Sequence, residues 1–243
     1  MNLIVDIGNT FVKTALFHEG ELIRQSQGVE LTDEGLEVLL DGKEAQRAIL
    51  CSTRKEYDDI ERVVKRHAQF VMRFTPQTKV PIGNDYLTPE TLGRDRLAAA
   101  VGAVELFPDR DLLVIDCGTA ITIDLVTRDR VFRGGCISLG LYTRFEALHH
   151  FTSCLPLCDP TDEEKLVGRS TQEAIEQGVM NSVEFELKGY IARLSDEFDN
   201  LCVIFTGGDA KFFVKRIKNA IFAECNLVFS GLDRILEYNV REE

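Results

Sequence analysis

Asp6-Ile7-Gly8-Asn9-Thr10-Phe11-Val12-Lys13 follows the apolar run Leu3-Ile4-Val5, and Asp116-Cys117-Gly118-Thr119 follows another, Leu112 to Ile115. Placing Asp6 on Asp116 also places Gly8 on Gly118, and each segment leads back into apolar sequence, Thr14 to Phe17 and Ile121 to Val126. The chain thus carries two copies of one strand-turn-strand unit, each with an acid at the end of its first strand and a glycine in the turn. Glycine lets a backbone turn tightly and approach an anion. In the first copy the backbone amides of Gly8, Asn9 and Thr10, with the Thr10 hydroxyl, are expected to cradle phosphates while Lys13 adds positive charge. The Asp6 carboxylate is then reserved for a hydrated magnesium ion, which prefers oxygen ligands and keeps several waters. The same residues also suit an ordinary hairpin turn, because Asn and Gly tolerate positive φ. Duplication in the same strand context favours the phosphate reading. Neither GxxxxGK[ST] nor a GxGxxG opening a helix is present, which argues against P-loop and dinucleotide folds.

A chain of 243 residues can bury a sizeable core and suits one large or two small domains. Its 44% hydrophobic content and six prolines indicate an ordered globular protein. No window approaches the roughly 18 uninterrupted apolar residues of a bilayer span, and the N-terminus enters a strand at once, so a soluble cytoplasmic protein without a membrane partner is expected. The net charge of -12 disfavours nucleic acid or an anionic membrane, which are bound through clustered Lys and Arg. Lys211, Lys215, Arg216 and Lys218 read as the polar face of one helix. A nucleotide site in so acidic a chain needs local cations and magnesium to overcome the global field.

Seven cysteines, Cys51, Cys117, Cys136, Cys154, Cys158, Cys202 and Cys225, are an odd number, several inside apolar runs, and read as reduced core residues. Cys154 and Cys158 lie near His149 and His150, yet CxxxC after adjacent histidines is not a usual zinc spacing. His18 and His67 read as surface residues near turns.

Along the chain, residues 1 to 17 form the first hairpin and Glu21 to Gly28 a third strand. A helix after Leu31 to about Leu40, a strand at Ala48 to Ser52, a helix at Tyr57 to Gln69 and a strand at Phe70 to Phe74 follow. After Asp111 the order recurs: a hairpin, a polar turn at Thr127 to Arg130, a third strand at Val131 to Phe132, then helices and the strand Leu201 to Phe205. An internal repeat with mixed sheets summarises this pattern.

Between the halves, Tyr86 and the segment TPETLGRDR run into Leu97-Ala98-Ala99-Ala100-Val101-Gly102-Ala103, a helix whose small residues allow close approach of a neighbour. Asp95 falls at its N-terminus, where the dipole favours negative charge. It is either a first-turn acid with solvated Arg94 and Arg96 beside it, or a carboxylate with two guanidiniums placed at the crossover between repeats. Ser170-Thr171-Gln172-Glu173 is a capping box opening a helix to about Phe198. Thr171 there can offer hydroxyl and amide to a carboxylate or phosphate. Thr206-Gly207-Gly208-Asp209-Ala210 is either a strand-to-helix loop or glycine backbone against which an adenine lies flat.

These segments together resemble type III pantothenate kinases, members of the acetate and sugar kinase, Hsp70 and actin superfamily. The carriers are DIGNT with Lys13, TPETLGRDR preceded by Tyr86, DCGTAITID, GGCISLG at Gly134 to Gly140, the Thr171 segment with EAIEQG, and TGGDA, spread over nearly the whole chain. The resemblance implies an α/β fold of duplicated ribonuclease H-like domains (actin/Hsp70/acetate kinase type) with mixed five-stranded sheets, 1–110 and 111–243. It implies ATP-dependent phosphorylation of the primary hydroxyl of pantothenate to 4'-phosphopantothenate, the first step of coenzyme A biosynthesis. By that likeness Asp6, Ile7, Gly8, Asn9, Thr10, Phe11, Val12, Lys13 and Thr119 bind ATP and its Mg2+, and Asp116 binds a monovalent cation, K+ or NH4+. Tyr86, Gly93, Arg96 and Thr171 hold pantothenate and Asp95 is the proton acceptor. Arg94, within the same substrate segment, fills the variable slot of GxDR and has no role of its own. The family is dimeric, completes the pantothenate pocket at the subunit interface and is generally insensitive to coenzyme A feedback. Leu139 stands where the family usually has proline before the glycine, a departure that bears on the shape of that loop. Two other readings are open: a sugar or other small-molecule kinase or a polyphosphatase on the same fold, and a non-catalytic transcription accessory factor. Intact Asp6, Lys13, Asp95, Asp116 and Thr119 argue against the last.

Overall fold

The computed structural model describes residues 1–217, 221–222 and 227–241. Its elements in chain order are β1 (Asn2–Ile7), β2 (Val12–His18), β3 (Glu21–Gly28), α1 (Asp33–Leu40), β4 (Ala45–Ser52), α2 (Asp58–Val64), β5 (Ala68–Arg73), β6 (Gly83–Asn84) and α3 (Arg94–Leu106). The second part contains β7 (Leu112–Cys117), β8 (Ala120–Thr127), β9 (Val131–Leu139), α4 (Leu141–Phe151), α5 (Thr171–Glu197), β10 (Cys202–Thr206), α6 (Lys211–Val214), β11 (Ile221–Phe222) and α7 (Leu227–Arg241). Two compact units result. Unit 1 holds Met1–Pro108, Asp129–Arg133 and the described residues from 227 onward; unit 2 holds Asp109–Arg128 and the described residues between 134 and 225.

In unit 1 the strand order is β3-β2-β1-β4-β5. β1 and β2 pair antiparallel through a tight hairpin, whereas β1 with β4 and β4 with β5 are parallel and require the crossover helices α1 and α2. Leu3, Val5 and Ile7 of β1 pack with Leu36, Leu39 and Leu40 of α1 and Val64 of α2. Strand alternation sends Asn2, Ile4 and Asp6 to the opposite face. There the Asn2 amide donates to Asp233 and Glu237 of α7, each at 2.8 Å. α3 and α7 cross at two glycines: a Cβ on Gly102 would lie 2.2 Å from the Leu227 carbonyl, and one on Gly231 1.8 Å from that of Ala98.

Unit 2 repeats this order as β9-β8-β7-β10-β11, with β7 and β8 antiparallel and β7-β10 and β10-β11 parallel. β1 and β7 also share one burial pattern, four buried residues, a half-buried aspartate and a buried residue. Leu113, Ile115 and Cys117 pack against Leu141 and Phe145 of α4 and Ile175, Val179 and Met180 of α5.

The fold is the α/β duplication with mixed sheets that the repeat implied, and several details differ. β9 runs to Leu139 instead of stopping at Phe132, because its glycines and exposed residues hide a strand whose alternate positions face solvent. Its first residues, in unit 1, pair in parallel with the short β6, which adds a sixth strand to the second sheet. The compact units depart from a division at residue 110, since α7 belongs with unit 1. Lys211, Lys215 and Arg216 do not form one solvated helix face: α6 ends at Val214, and the buried Arg216 guanidinium meets Glu164 at 3.5 Å and Glu184 at 3.4 Å. His67 is no free surface group; its Nε2 lies 2.9 Å from Asp33. Lys218 and Cys225 lie outside the described residues. No described helix is long and apolar enough to cross a membrane.

Candidate active site

Each unit supplies its own set of site residues. In unit 1, β1 delivers Asp6 directly opposite Lys13 of β2, so acid and amine share one sheet face. The turn between them closes through the Gly8 amide, which donates to the Phe11 carbonyl at 3.0 Å. That amide is therefore committed, in contrast to the expected trio of phosphate donors. The amides of exposed Asn9 and Thr10 make no hydrogen bond among the described residues. Behind the turn, Thr53 bonds the Ile7 carbonyl through its amide at 3.0 Å and its hydroxyl at 3.2 Å. Arg54 donates from Nε to the Gly8 carbonyl at 2.7 Å and from Nη2 to that of Asn9 at 3.3 Å.

Asp95 sits in the first turn of α3, whose N-cap is Gly93. Its Oδ1 accepts from the Arg96 amide at 2.9 Å. Asp6 pairs with Cys51 in the parallel register of β1 and β4. Burial pushes the Cys51 thiol well above its ordinary range, and the negative charges of both Asp6 and Asp95 push the same way while Arg94 opposes. Asp6 is thus the strand neighbour of a buried thiol on which the charges of both Asp6 and Asp95 act. Arg94 is committed to backbone. Its guanidinium binds the carbonyls of Pro89 and Leu92, and burial pulls its pKa down. Arg96 is buried, with its guanidinium carbon 5.7 Å from the Tyr86 ring centre and 5.9 Å from that of Phe132.

In unit 2 the equivalent turn is one residue shorter, joining Cys117 to Ile121 where the first joins Ile7 to Val12. The Gly118 amide again closes it, here onto Ala120 at 3.0 Å. The residue opposite Asp116 is Thr122, so a neutral hydroxyl replaces the amine of Lys13. Glycine backbone lies against this acid. Gly207, at φ +90°, has no room for a Cβ, which would lie 2.4 Å from both Asp116 Oδ1 and the Cys117 carbonyl. A Cβ on Gly140 would lie 2.1 Å from the Gly118 carbonyl. The Thr119 carbonyl accepts from the Gly140 amide at 3.1 Å and the Thr143 hydroxyl at 2.8 Å.

Ser170 caps α5 by accepting from the Glu173 amide at 3.1 Å, which leaves the Thr171 side chain exposed. Thr171 lines a depression of about 500 Å³ with Arg144, Leu148, Leu155 and Ile175. Arg144, which no motif marked, donates to the Leu139 carbonyl at 2.9 Å and to Ser138 at 2.8 Å, and also holds Ser182 and Glu186 of α5. It fixes the end of β9, the segment whose shape the Leu139 departure was expected to affect. Arg54 was equally unmarked: only the Ile7–Ser52 pairing brings the residues after β4 beside the turn.

Solved structures share this architecture. The activator of the 2-hydroxyisocaproyl-CoA dehydratase from Clostridium difficile, with bound ADPNP, aligns with a TM-score of 0.60 at 14% identity, over 99% of this chain and 96% of that one. A ROK family glucokinase from Streptomyces griseus, in complex with glucose and AMPPNP, aligns at 0.54 and 13%, over 98% of each chain. At such identities the likeness concerns the fold alone. Sequence comparison is more specific. The type III pantothenate kinase of Christiangramia forsetii is 41% identical over 98% of this chain and 99% of its own length. That of Phocaeicola vulgatus is also 41% identical, over 98% and 99%. The family model described as type III pantothenate kinase matches residues 2–193, a span that takes in both hairpin turns, the Asp95 segment and Thr171. With these motifs placed as described in each unit, the chain belongs to the type III pantothenate kinase family.

Proposed function

We propose that this protein transfers the γ-phosphoryl group of ATP to the primary hydroxyl of pantothenate, forming 4'-phosphopantothenate for coenzyme A biosynthesis. Family membership supports the reaction, and the placement of Asp6 opposite Lys13 at the hairpin turn and of Asp95 in the first turn of α3 supports the assignment of residues. Phosphoryl transfer asks a protein chiefly to position reactants and stabilise charge. The uncommitted amides of Asn9 and Thr10, with Lys13, suit a polyphosphate. Asp6 would hold Mg2+ through water, in keeping with that ion's preference for oxygen and a retained hydration shell. Magnesium, when bound, disperses charge on the transferring phosphate. Asp95 has Oδ1 occupied by the Arg96 amide, so Oδ2 takes the proton of the substrate hydroxyl. Arg96 with Tyr86 receives the pantothenate carboxylate beside Gly93. Thr171, at the start of α5, is also assigned to pantothenate in this proposal.

Asp116 holds K+ or NH4+ in this proposal. The carboxylate, the Thr122 residue opposite it and the nearby Cys117 carbonyl are hard oxygen ligands, which suit such an ion. A homodimer is supported by exposed apolar side chains of unit 2, Ile137 and Leu139 on β9, Tyr142 on α4 and Phe185 on α5. The decisive assay follows ADP and phosphopantothenate from ATP, Mg2+ and pantothenate, with and without K+, on material sized by light scattering. Potassium-dependent product from a dimer is expected. ATP binding without phosphopantothenate would remove the substrate assignment and favour another small-molecule kinase of this fold.

A further inference from the structure

The parallel register sets Ser52 of β4 beside Ile7, and the next two residues bond to the phosphate turn in succession. Thr53 holds the Ile7 carbonyl, Arg54 Nε the Gly8 carbonyl at 2.7 Å, and Arg54 Nη2 the Asn9 carbonyl at 3.3 Å. Ser52 makes this reach possible. Its hydroxyl accepts from the Arg54 amide at 2.9 Å and donates to the Arg54 carbonyl at 3.1 Å, folding the strand end back over the turn. A trans peptide unit is planar, with its N–H opposed to its C=O. Drawing the Gly8 and Asn9 carbonyls towards Arg54 therefore aims the amides of Asn9 and Thr10 the other way, and these amides have no hydrogen-bond partner among the described residues.

We propose that Arg54 is a positioning residue for the nucleotide: one guanidinium, forked over two successive carbonyls, presents two successive amides to the ATP phosphates. The second repeat supplies a contrast. Asp6 pairs with Cys51 and Asp116 with Thr206, so the residue three beyond each partner is Arg54 in the first copy and Asp209 in the second. Asp209 holds the Cys117 carbonyl through its backbone amide at 3.0 Å, and its side chain binds none of the turn carbonyls. A cation braces the turn assigned to phosphate, and an acid stands at the matching place behind the turn assigned to a cation.

This inference rests on the ATP reading of the first turn and does not depend on which alcohol accepts the phosphate. It is tested by calorimetric titration of MgATP into the wild type, Arg54→Ala and Arg54→Lys, with melting temperatures and the KM values for ATP and pantothenate. Loss of two charge-assisted hydrogen bonds should weaken ATP binding about tenfold in Arg54→Ala, with the pantothenate KM and melting temperature unchanged. Arg54→Lys should recover less than half of that loss, because one ammonium cannot span two carbonyls as the planar fork does. Unchanged ATP affinity in Arg54→Ala would overturn the proposal, and so would full recovery in Arg54→Lys, which assigns the effect to charge alone. Parallel loss of both substrates with a lowered melting temperature would also overturn it, as general structural damage. A wild type that binds ATP yet leaves pantothenate untouched would remove the acceptor assignment while the ATP comparison stands.

Discussion

Around Asp95 the available space is set by one missing methyl group. Asp95→Asn keeps the side-chain volume and the acceptor for the Arg96 amide but removes the base, so kcat should fall roughly 10²- to 10⁴-fold while the melting temperature holds. Near-normal turnover would remove Asp95 from that role. Gly93 tests the same carboxylate from the other side. Its φ of -54° suits any residue, yet an added Cβ would lie 2.6 Å from Asp95 Oδ1 and 3.4 Å from the Arg96 stem. Gly93→Ala should therefore displace the acid and lower kcat by about tenfold, with little change in urea-unfolding stability, since small misplacements of reacting groups are costly. The residues that are legible in sequence are those standing beside their own turn, such as Asp6, Lys13 and Asp95. Arg144 was illegible because its side-chain partners Ser182 and Glu186 lie 38 and 42 residues away in sequence, and Arg54 because what it holds is backbone carbonyl, which leaves no compositional trace. The commitment of the Gly8 amide was hidden for the same reason.

The helix pair α3 and α7 shows how an element can depend on residues with no side chain. Gly231→Val would drive a side chain into the Ala98 carbonyl, and rigid backbone on both sides leaves little room for relaxation. A loss at the upper end of roughly 1–3 kcal/mol is expected, read from urea unfolding. The start of α1 carries a pH-dependent prediction. Asp33 accepts hydrogen bonds from Arg66 and His67, which lower its pKa to about 2 from the ordinary 3.8. A depressed carboxyl contributes stability that is complete above the ordinary value and is lost as pH falls through the lowered one. Asp33→Asn should thus be less stable than the wild type at pH 7, and the gap should close between pH 3.8 and about 2. A gap unchanged by acid would exclude the ion pairs as its source. At this scale β3 was readable from its place after the hairpin and α5 from a capping box. α2 ended five residues before the expected Gln69, because the chain turns there to bring His67 to Asp33 and to enter β5. β9 was missed for most of its length because glycine is a poor strand signal.

For the whole molecule, the duplication was visible from two short turns because both strands behind them bury the same positions. Membership of α7 in unit 1 was not, since nothing in a local pattern says which distant helix its apolar face will meet. The net charge of -12 makes a further prediction for the approach of two anionic substrates. If the overall field opposes their encounter, kcat/KM for ATP should rise as tetramethylammonium chloride is added at constant K+, up to about 0.15 M, where the screening length is about 8 Å. A fall instead would show that the cations beside the turns dominate at long range. The helix that lines α3 and reaches Asn2 also has a place in time. It is made after every other described element, so β1 is made early and covered late. Unit 2, whose described segments are all translated by then, is free to mature first, while the Ala98–Gly102 face of α3 waits for α7 until the chain has passed residue 227. A nascent chain released before that point would carry a finished second unit and an unclosed first one.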